Sequence, residues 1–305
     1  MKAYILRRLL QGLVVLVVVG VSVFALARLT GNPIDLMLPE DATQADRDHM
    51  AKALGLDQPY YVQFYTYIGG IVRGDFGDST KYSRPASEIF FERLPNSLRL
   101  IGLSYFFAIL IAIPLAVSAA RNRGKPIDTL AKTIAVAGMA TPTFWMGLVL
   151  IQIFAVRLMI LPVATMGGPS HYILPAFTLG YFQVAGLTRL LRSSMLEMLD
   201  AEFVKLARIK GVSERVVVWR HSLRNALIPV VSFAGVYIAI LITGAIVVET
   251  VFAWPGVGRL AYEAVMARDF PVIQAVVTLK ALFIVVLNIV VDVIYAYLNP
   301  RIRYA

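Results

Sequence analysis

Six stretches of roughly twenty mostly apolar residues, at 9–29, 98–120, 133–158, 173–191, 227–248 and 272–298, constrain what this chain of 305 residues can fold into. Hydrocarbon offers no water to a backbone N–H or C=O, so each stretch must close its hydrogen bonds within itself, as a helix. Composition agrees: 58% of residues are hydrophobic and the mean hydropathy is +0.72, far from the balance of a soluble domain. The fold expected is an all-α polytopic membrane protein with six transmembrane helices. The first stretch follows Lys2, Arg7 and Arg8 and ends in Ala25-Leu26-Ala27, as a cleaved leader would. It is longer than an ordinary leader core and Arg28 follows directly, so an uncleaved first span is expected.

Orientation follows from the basic residues. With the N-terminus inside, cytoplasmic pieces hold 17 of the 29 Lys and Arg, including Arg121, Arg123, Lys125 and Lys132 after the second span and eight more between Arg189 and Arg224. The segment 30–97 instead carries ten Asp or Glu against six Lys or Arg. The positive-inside rule then places both termini in the cytoplasm. This topology accounts for the net charge of +10. No nucleic-acid partner is implied, and no DNA- or RNA-binding motif is present.

Several chemistries are absent from the sequence. There is no cysteine, hence no disulfide or thiolate site. His49, His171 and His221 fall in different segments without metal-ligand spacing. No Gly-x-x-x-x-Gly-Lys-Ser/Thr loop exists to hold ATP. The chain is expected to be no self-contained enzyme, with no catalytic residues, metal or cofactor of its own.

One membrane domain over 1–305 is expected, with an extracytoplasmic segment at 30–97 and a cytoplasmic loop at 192–226. In the outer segment Gly31-Asn32-Pro33, Gly69-Gly70, Gly74 and Gly77 alternate with amphipathic stretches at 45–54 and 60–71, which predicts short helices on the outer face. Pro114 and Pro142 lie inside apolar spans and are expected to kink them.

The loop between the fourth and fifth spans holds Asp200-Ala201-Glu202-Phe203-Val204-Lys205-Leu206-Ala207-Arg208-Ile209-Lys210-Gly211. Asp200 reads as an N-cap, Glu202 suits the positive end of the helix dipole, Lys205, Arg208 and Lys210 suit the other end, and Gly211 fits the left-handed position beyond it. Phe203, Leu206 and Ala207 share one stripe. Ser213 reads as the cap of a second helix, 214–226, closing before Pro229. Two readings stay open on these grounds: a helix offered to a soluble partner, or one resting on anionic lipid headgroups.

The run Glu202-x4-Ala207-Arg208-x-Lys210-Gly211-x9-His221-x2-Arg224-Asn225-Ala226-Leu227-Ile228-Pro229 resembles the cytoplasmic coupling loop of ABC importer permeases of the dipeptide, oligopeptide, glutathione and nickel uptake family. The resemblance covers nearly the whole chain. Gly31-Asn32-Pro33, Leu54-Gly55-Leu56-Asp57-Gln58-Pro59 and Gly74-Asp75-Phe76-Gly77 match the family's outer segment. His171-Tyr172-Ile173-Leu174-Pro175, Val248-Glu249-x-Val251-Phe252-x-Trp254-Pro255-Gly256-x-Gly258, Arg268-Asp269-Phe270-Pro271-Val272-Ile273-Gln274 and Asn299-Pro300-Arg301 follow in order. Phe203 and Ile209 depart from the family's usual Tyr and Ala, and Asn32 from its Asp.

The resemblance implies a transport subunit for dipeptides, oligopeptides or a peptide-like solute such as glutathione, with a nickel complex as the alternative within the family. It implies a second homologous permease, two cytoplasmic ATPase subunits that bind the ATP and Mg, and an extracytoplasmic solute-binding protein, all in a bacterial inner membrane. Glu202, Phe203, Leu206, Ala207, Arg208, Lys210 and Gly211 would form the ATPase-coupling helix. Candidates for the translocation pathway or a gate are Gln183, Tyr237, Glu249, Trp254, Pro255, Gly256 and Asp292. An ATP-independent secondary transporter would instead favour acidic residues at mid-span or inverted repeats, and an intramembrane enzyme would need a nucleophile and base on facing spans. The sequence displays neither.

Overall fold

The computed structural model describes residues 2–29, 43–53, 55 and 57–298. The helices are α1 (Lys2–Leu29), α2 (Gln44–Ala53), α3 (Tyr60–Arg73), α4 (Ala86–Arg121), α5 (Pro126–Ala140), α6 (Thr143–Leu150), α7 (Ser170–Leu199), α8 (Glu202–Ile209), α9 (Glu214–Val216), α10 (Leu223–Val251), α11 (Val257–Met266) and α12 (Phe270–Leu298). Wider π-helical turns at Ile151–Arg157 and Val217–Ser222 extend α6 and join α9 to α10. By contacts the chain forms two units, Met1–Pro95 with Gly256–Ala305, and Asn96–Pro255.

Within the first unit, α1 lies against α12. Gly12 permits this approach: a Cβ there would come within 2.6 Å of Val285 Cγ1, the close backbone contact that small residues allow between membrane helices. Elsewhere α1 presents Leu10, Val14, Val17 and Val18, each more than half exposed, as a helix immersed in lipid requires. The amphipathic stretches expected at 45–54 and 60–71 form the helices Gln44–Ala53 and Tyr60–Arg73, as their pattern predicts. Gly74, with φ 76°, ends α3 through amide bonds from Asp75 to Gly70 O and from Gly74 to Ile71 O, the paired closure that favours glycine.

An apolar cluster of Phe76, Ala86, Ile89, Phe90, Val257, Leu260, Val272 and Val276 forms this unit's core. Asp269 organises its edge. Its Oδ1 accepts from the Val272 amide at 3.4 Å at the start of α12, while Oδ2 accepts from Ser79 Oγ at 2.5 Å and the Lys81 amide at 3.3 Å. The Arg268-Asp269-Phe270-Pro271 motif is therefore a junction of two helices that also holds the 79–81 turn.

The second unit is built around α7, which packs against α5, α6 and α10. Ala108, Ala112, Ala116 and Ala120, one turn apart on α4, join Val184, Leu187, Leu191 and Met195 of α7 in its core. The expected third span is broken: α5 and α6 meet at a 107° bend across Thr141 and Pro142. Pro142 has no amide proton to continue α5, and the Tyr181 hydroxyl of α7 donates to the freed Thr141 carbonyl. At Pro114, by contrast, α4 stays helical through to Arg121. Pro229 likewise lies inside α10 and does not end a helix there. The expected helix at 214–226 is thus the entry to the fifth stretch.

By length and composition, the described stretch Leu6–Leu26 of α1, all of α4 and the described stretch Phe270–Val291 of α12 can each cross a membrane, and the bent α5–α6 pair can serve as a fourth span. α7 is long enough at 30 residues, but Arg189 and Arg192 punctuate it and most of its surface is buried inside the chain. The apolar stretch described in α10 is Ile240–Val251.

Asp269→Ala should remove a helix cap worth about 1 kcal/mol and strand a buried hydroxyl and an amide at about 1–3 kcal/mol. The melting temperature in detergent should fall clearly, and by less for Ser79→Ala.

Candidate functional site

The sequence 200–211 folds into α8 with different ends from those expected. Asp200 adopts right-handed helical angles and completes α7, its amide bonding to Leu196 O at 3.2 Å. Extended Ala201 is the residue that turns the chain into α8. Glu202 opens the helix and pairs with Lys205 Nζ at 2.8 Å. At the far end Gly211 has φ 77°, with its amide on Arg208 O at 3.0 Å and the Val212 amide on Ala207 O at 3.1 Å. This closure needs a left-handed residue, as the sequence predicted for Gly211.

The inward anchor of α8 is Val204, fully buried, against the end of α7 and the π-helical turn at Val217–Ser222. The stripe read from sequence had not included it. Phe203 is 42% exposed, Leu206 56% and Ile209 81%, whereas Ala207 is half-buried. An apolar edge of α8 therefore has no partner among the described residues. Lys210 and Gly211 stand in the open beside it.

Arg208 lies along the loop, its side chain 41% exposed. Its Nε and Nη2 donate to the two carboxylate oxygens of Glu214 at 3.1 and 2.9 Å, and Nη1 reaches Leu199 O at 3.4 Å. One guanidinium thus ties α8 to the helix before it and the helix after it, a brace that the planar fork of arginine suits. The hydrogen bond from Arg208, with its charge and that of Arg121, outweighs desolvation and holds the Glu214 carboxyl below the usual glutamate range. Arg208 had been expected to face a partner; here its polar atoms are spent on the loop itself. Ser213 precedes α9 as expected, but its backbone carbonyl, and not its hydroxyl, receives the first amides.

Of the pathway candidates, Gln183 is buried in α7, and its Oε1 has no hydrogen-bond partner among the described residues. Tyr237 packs across Gly186, with its ring 6.3 Å from Phe233. Glu249 is fully buried and accepts from Ser97 Oγ at 2.6 Å. Trp254, also fully buried, donates Nε1 to Asn96 O at 3.1 Å and meets the Tyr172 ring edge-on at 4.7 Å. Asn96 Nδ2 in turn donates to Pro255 O at 2.9 Å. Gly256 is extended backbone leading into α11. The side chain of Asp292 lies outside the described residues, as do Gly31-Asn32-Pro33 and Asn299-Pro300-Arg301. Among the described residues no group of three or more His, Asp and Glu is placed to hold a metal.

Two groups went unnoticed in the sequence: Asn96 with Ser97, which frame the Trp254 turn, and Asp128 with Arg192, which join α5 to α7. Only Asp128 left a signal, as the one acid among the bases from Arg121 to Lys132.

Residues 112–304 match the family model described as binding-protein-dependent transport system inner membrane component, and residues 1–101 match the model for the N-terminal part of such membrane components. The chain is 39% identical over 316 residues to the oligopeptide transport system permease protein AppB of Bacillus subtilis, with all of both chains covered. It is 43% identical over 305 residues to the glutathione transport system permease protein GsiC of Salmonella paratyphi A, again over all of both. Its fold is similar to a chain of the methionine ABC transporter MetNI in an inward-facing conformation, with a TM-score of 0.59 at 18% identity over 69% of this chain and 96% of that one. It is also similar to a chain of an amino acid ABC transporter, with a TM-score of 0.56 at 15% identity over 69% and 94%. With both halves of the sequence matched and full-length relatives at this identity, the chain belongs to the inner membrane components of binding-protein-dependent transport systems and is an ABC importer permease of the group that includes the oligopeptide and glutathione permeases.

Proposed function

We propose that this permease carries dipeptides, oligopeptides or a peptide-like solute such as glutathione into the cytoplasm, driven by ATPase subunits that engage it through α8. The observation that carries the reading is the division of α8 into two faces. Val204 and Arg208 fix the helix to its own chain, while Phe203, Leu206 and Ile209 remain uncovered. A short helix so held is a rigid peg with an apolar edge, the form that fits a groove on a soluble partner. Of the three basic side chains that could flank that edge for lipid headgroups, Lys205 and Arg208 are instead paired with Glu202 and Glu214, while Lys210 is exposed.

In this reading the chain has six spans with both termini in the cytoplasm, 30–97 outside and 192–226 inside. It works beside a second homologous permease, above two ATPases that hold ATP and Mg, and receives solute from an extracytoplasmic binding protein. The names of the full-length relatives support the peptide or glutathione assignment. Closure of the ATPases displaces α8 as a rigid body and switches the spans between outward- and inward-facing states. Ala207 allows close approach, and Gly211 holds the turn. For the pathway, Glu249, Trp254 and Pro255 are better placed as the frame of an outer loop than as solute contacts, because the Glu249 carboxylate, the Trp254 indole and the Pro255 carbonyl are each bonded within the chain.

Phe203→Ala and Leu206→Ala should leave the melting temperature of the permease nearly unchanged but weaken co-purification of the ATPases about tenfold, equivalent to about 1.4 kcal/mol. Val204→Ala should lower the melting temperature itself. Equal destabilisation by all three would remove the distinction between the faces.

Ala207→Glu or Gly211→Glu should abolish ATP-dependent uptake while membrane insertion stays intact; at Gly211 a side chain also incurs left-handed strain of about 1–2 kcal/mol. The purified chain alone should hydrolyse no ATP. Complete transport by that chain in liposomes would overturn the assignment.

Since the Glu214 carboxyl is lowered on folding, the brace keeps its full contribution above the unfolded glutamate pKa of about 4.3 and loses it as pH falls through the folded value. Protease protection of the loop should therefore be flat from pH 8 to pH 5.5 and diminished throughout that range in Glu214→Gln, where Arg208 has lost its charged partner.

A further inference from the structure

Between α5 and α7 the second unit contains a buried charge that the docking of α8 does not use. Asp128, in the first turn of α5, is fully buried. Its Oδ1 accepts from Arg192 Nε at 2.5 Å, and its Oδ2 accepts from Arg192 Nη2 at 3.0 Å and from the Gly124 amide at 3.0 Å. Lys132 Nζ stands 2.9 Å from the same oxygen, but its side chain is 53% exposed. The guanidinium of Arg192 is largely enclosed, with its side chain 17% exposed.

Stability alone is a poor account of such a pair, because a well-packed apolar pair of similar volume often does as well or better. What a two-point ionic contact adds is orientation. That matters on this interface, where small residues also meet closely: Gly138 of α5 lies so near Ala185 that a Cβ would come within 2.8 Å of the alanine methyl. Small side chains permit close approach but do little to stop two helices sliding or rotating. A second polar contact sits at the other end of α5, where Tyr181 of α7 donates to Thr141 O. Asp128 and Thr141 are separated by roughly 20 Å of helix, and Tyr181 and Arg192 by roughly 17 Å, at 1.5 Å per residue. The antiparallel pair is pinned at both ends.

We propose that Asp128 and Arg192 are positioning residues for transport: their bidentate contact locks α5 to the end of α7 that carries α8, so that a displacement of α8 moves both helices as one body up to the bend at Thr141 and Pro142. Arg192 lies seven residues before the end of α7, and α8 starts after the two residues Asp200 and Ala201. Without the lock, movement of α8 turns α7 against α5 and is dissipated at their interface. This inference rests on the docking of α8 proposed above.

The test uses the complete importer, with both permeases, the ATPases and the binding protein, in liposomes. It measures solute imported per ATP hydrolysed on complexes that have assembled. Asp128→Asn, which keeps shape and removes charge, should retain ATP hydrolysis within about twofold while import per ATP drops at least tenfold. The double variant Asp128→Leu with Arg192→Met replaces the pair by apolar packing. It should assemble with a melting temperature near that of the native protein and still be uncoupled, which a purely structural pair would not produce. Native import per ATP in either assembled variant, including a case in which hydrolysis and uptake fall together in proportion, overturns the proposal. Failure of the unaltered complex to couple uptake to ATP would instead overturn the docking of α8.

Discussion

Contacts made through glycine on or beside α7 are what the second unit depends on. Gly180 of α7 sits where a Cβ would come within 2.7 Å of the Ser104 carbonyl oxygen of α4, Gly138 of α5 faces Ala185, Gly147 of α6 meets Thr178 and Phe252, and Gly186 receives Tyr237 of α10. A methyl group at Gly180, Gly138 or Gly186 would force a helix or a ring away. In lipid no hydrophobic effect draws helices together, so association rests on van der Waals contact at short range and on a few interhelical hydrogen bonds. α7 carries polar side chains inside the unit, with Thr178, Gln183 and Thr188 all buried.

The loop beyond α7 inherits that rigidity. Only Asp200 and Ala201 separate it from α8, and Arg208 bonds back to Leu199 while it clasps Glu214. A flexible tether would let α8 move independently of α7; these bonds brace the turn instead. The two positions of α8 at which the sequence departs from its family's usual residues, Phe203 and Ile209, both fall on the uncovered edge. There the packing of this chain does not decide which apolar residue fits. Val204, by contrast, is buried by the chain itself.

The parts legible in the sequence were those fixed by local physics. Apolar length marked α1, α4 and α12, amphipathic period marked α2 and α3, and the demand for a left-handed residue marked Gly211 as the end of α8. Features that depend on distant partners were not legible. Pro142 announced a break, but the 107° bend involves Tyr181, forty residues away, which takes up the freed carbonyl. Which edge of α8 turns inward depends on where Val217 and Val218 lie, so the stripe of Phe203, Leu206 and Ala207 was aligned on periodicity without Val204. Asp200 had the chemistry of a cap, yet α7 continued one residue further and took it. Pro229 had the chemistry of a helix end; the π-helical turn at Val217–Ser222 lies upstream and the chain stays helical through the proline.

The turn at Trp254 shows how architecture can account for a sequence motif. Ala253 has φ 48° and Thr165 φ 73°, a region that costs residues with a Cβ about 1–2 kcal/mol and that persists only where surrounding bonds over-determine it. Those bonds are present. The Thr165 amide donates to Phe252 O at 2.8 Å, the Trp254 amide to Glu249 O at 2.8 Å, and the Trp254 indole to Asn96 O at 3.1 Å. Solute contacts need side chains with hydrogen-bonding capacity left to offer, and the Trp254 indole donates its one N–H inward. A loop held this firmly presents a fixed shape, and substitution within it acts first on that shape.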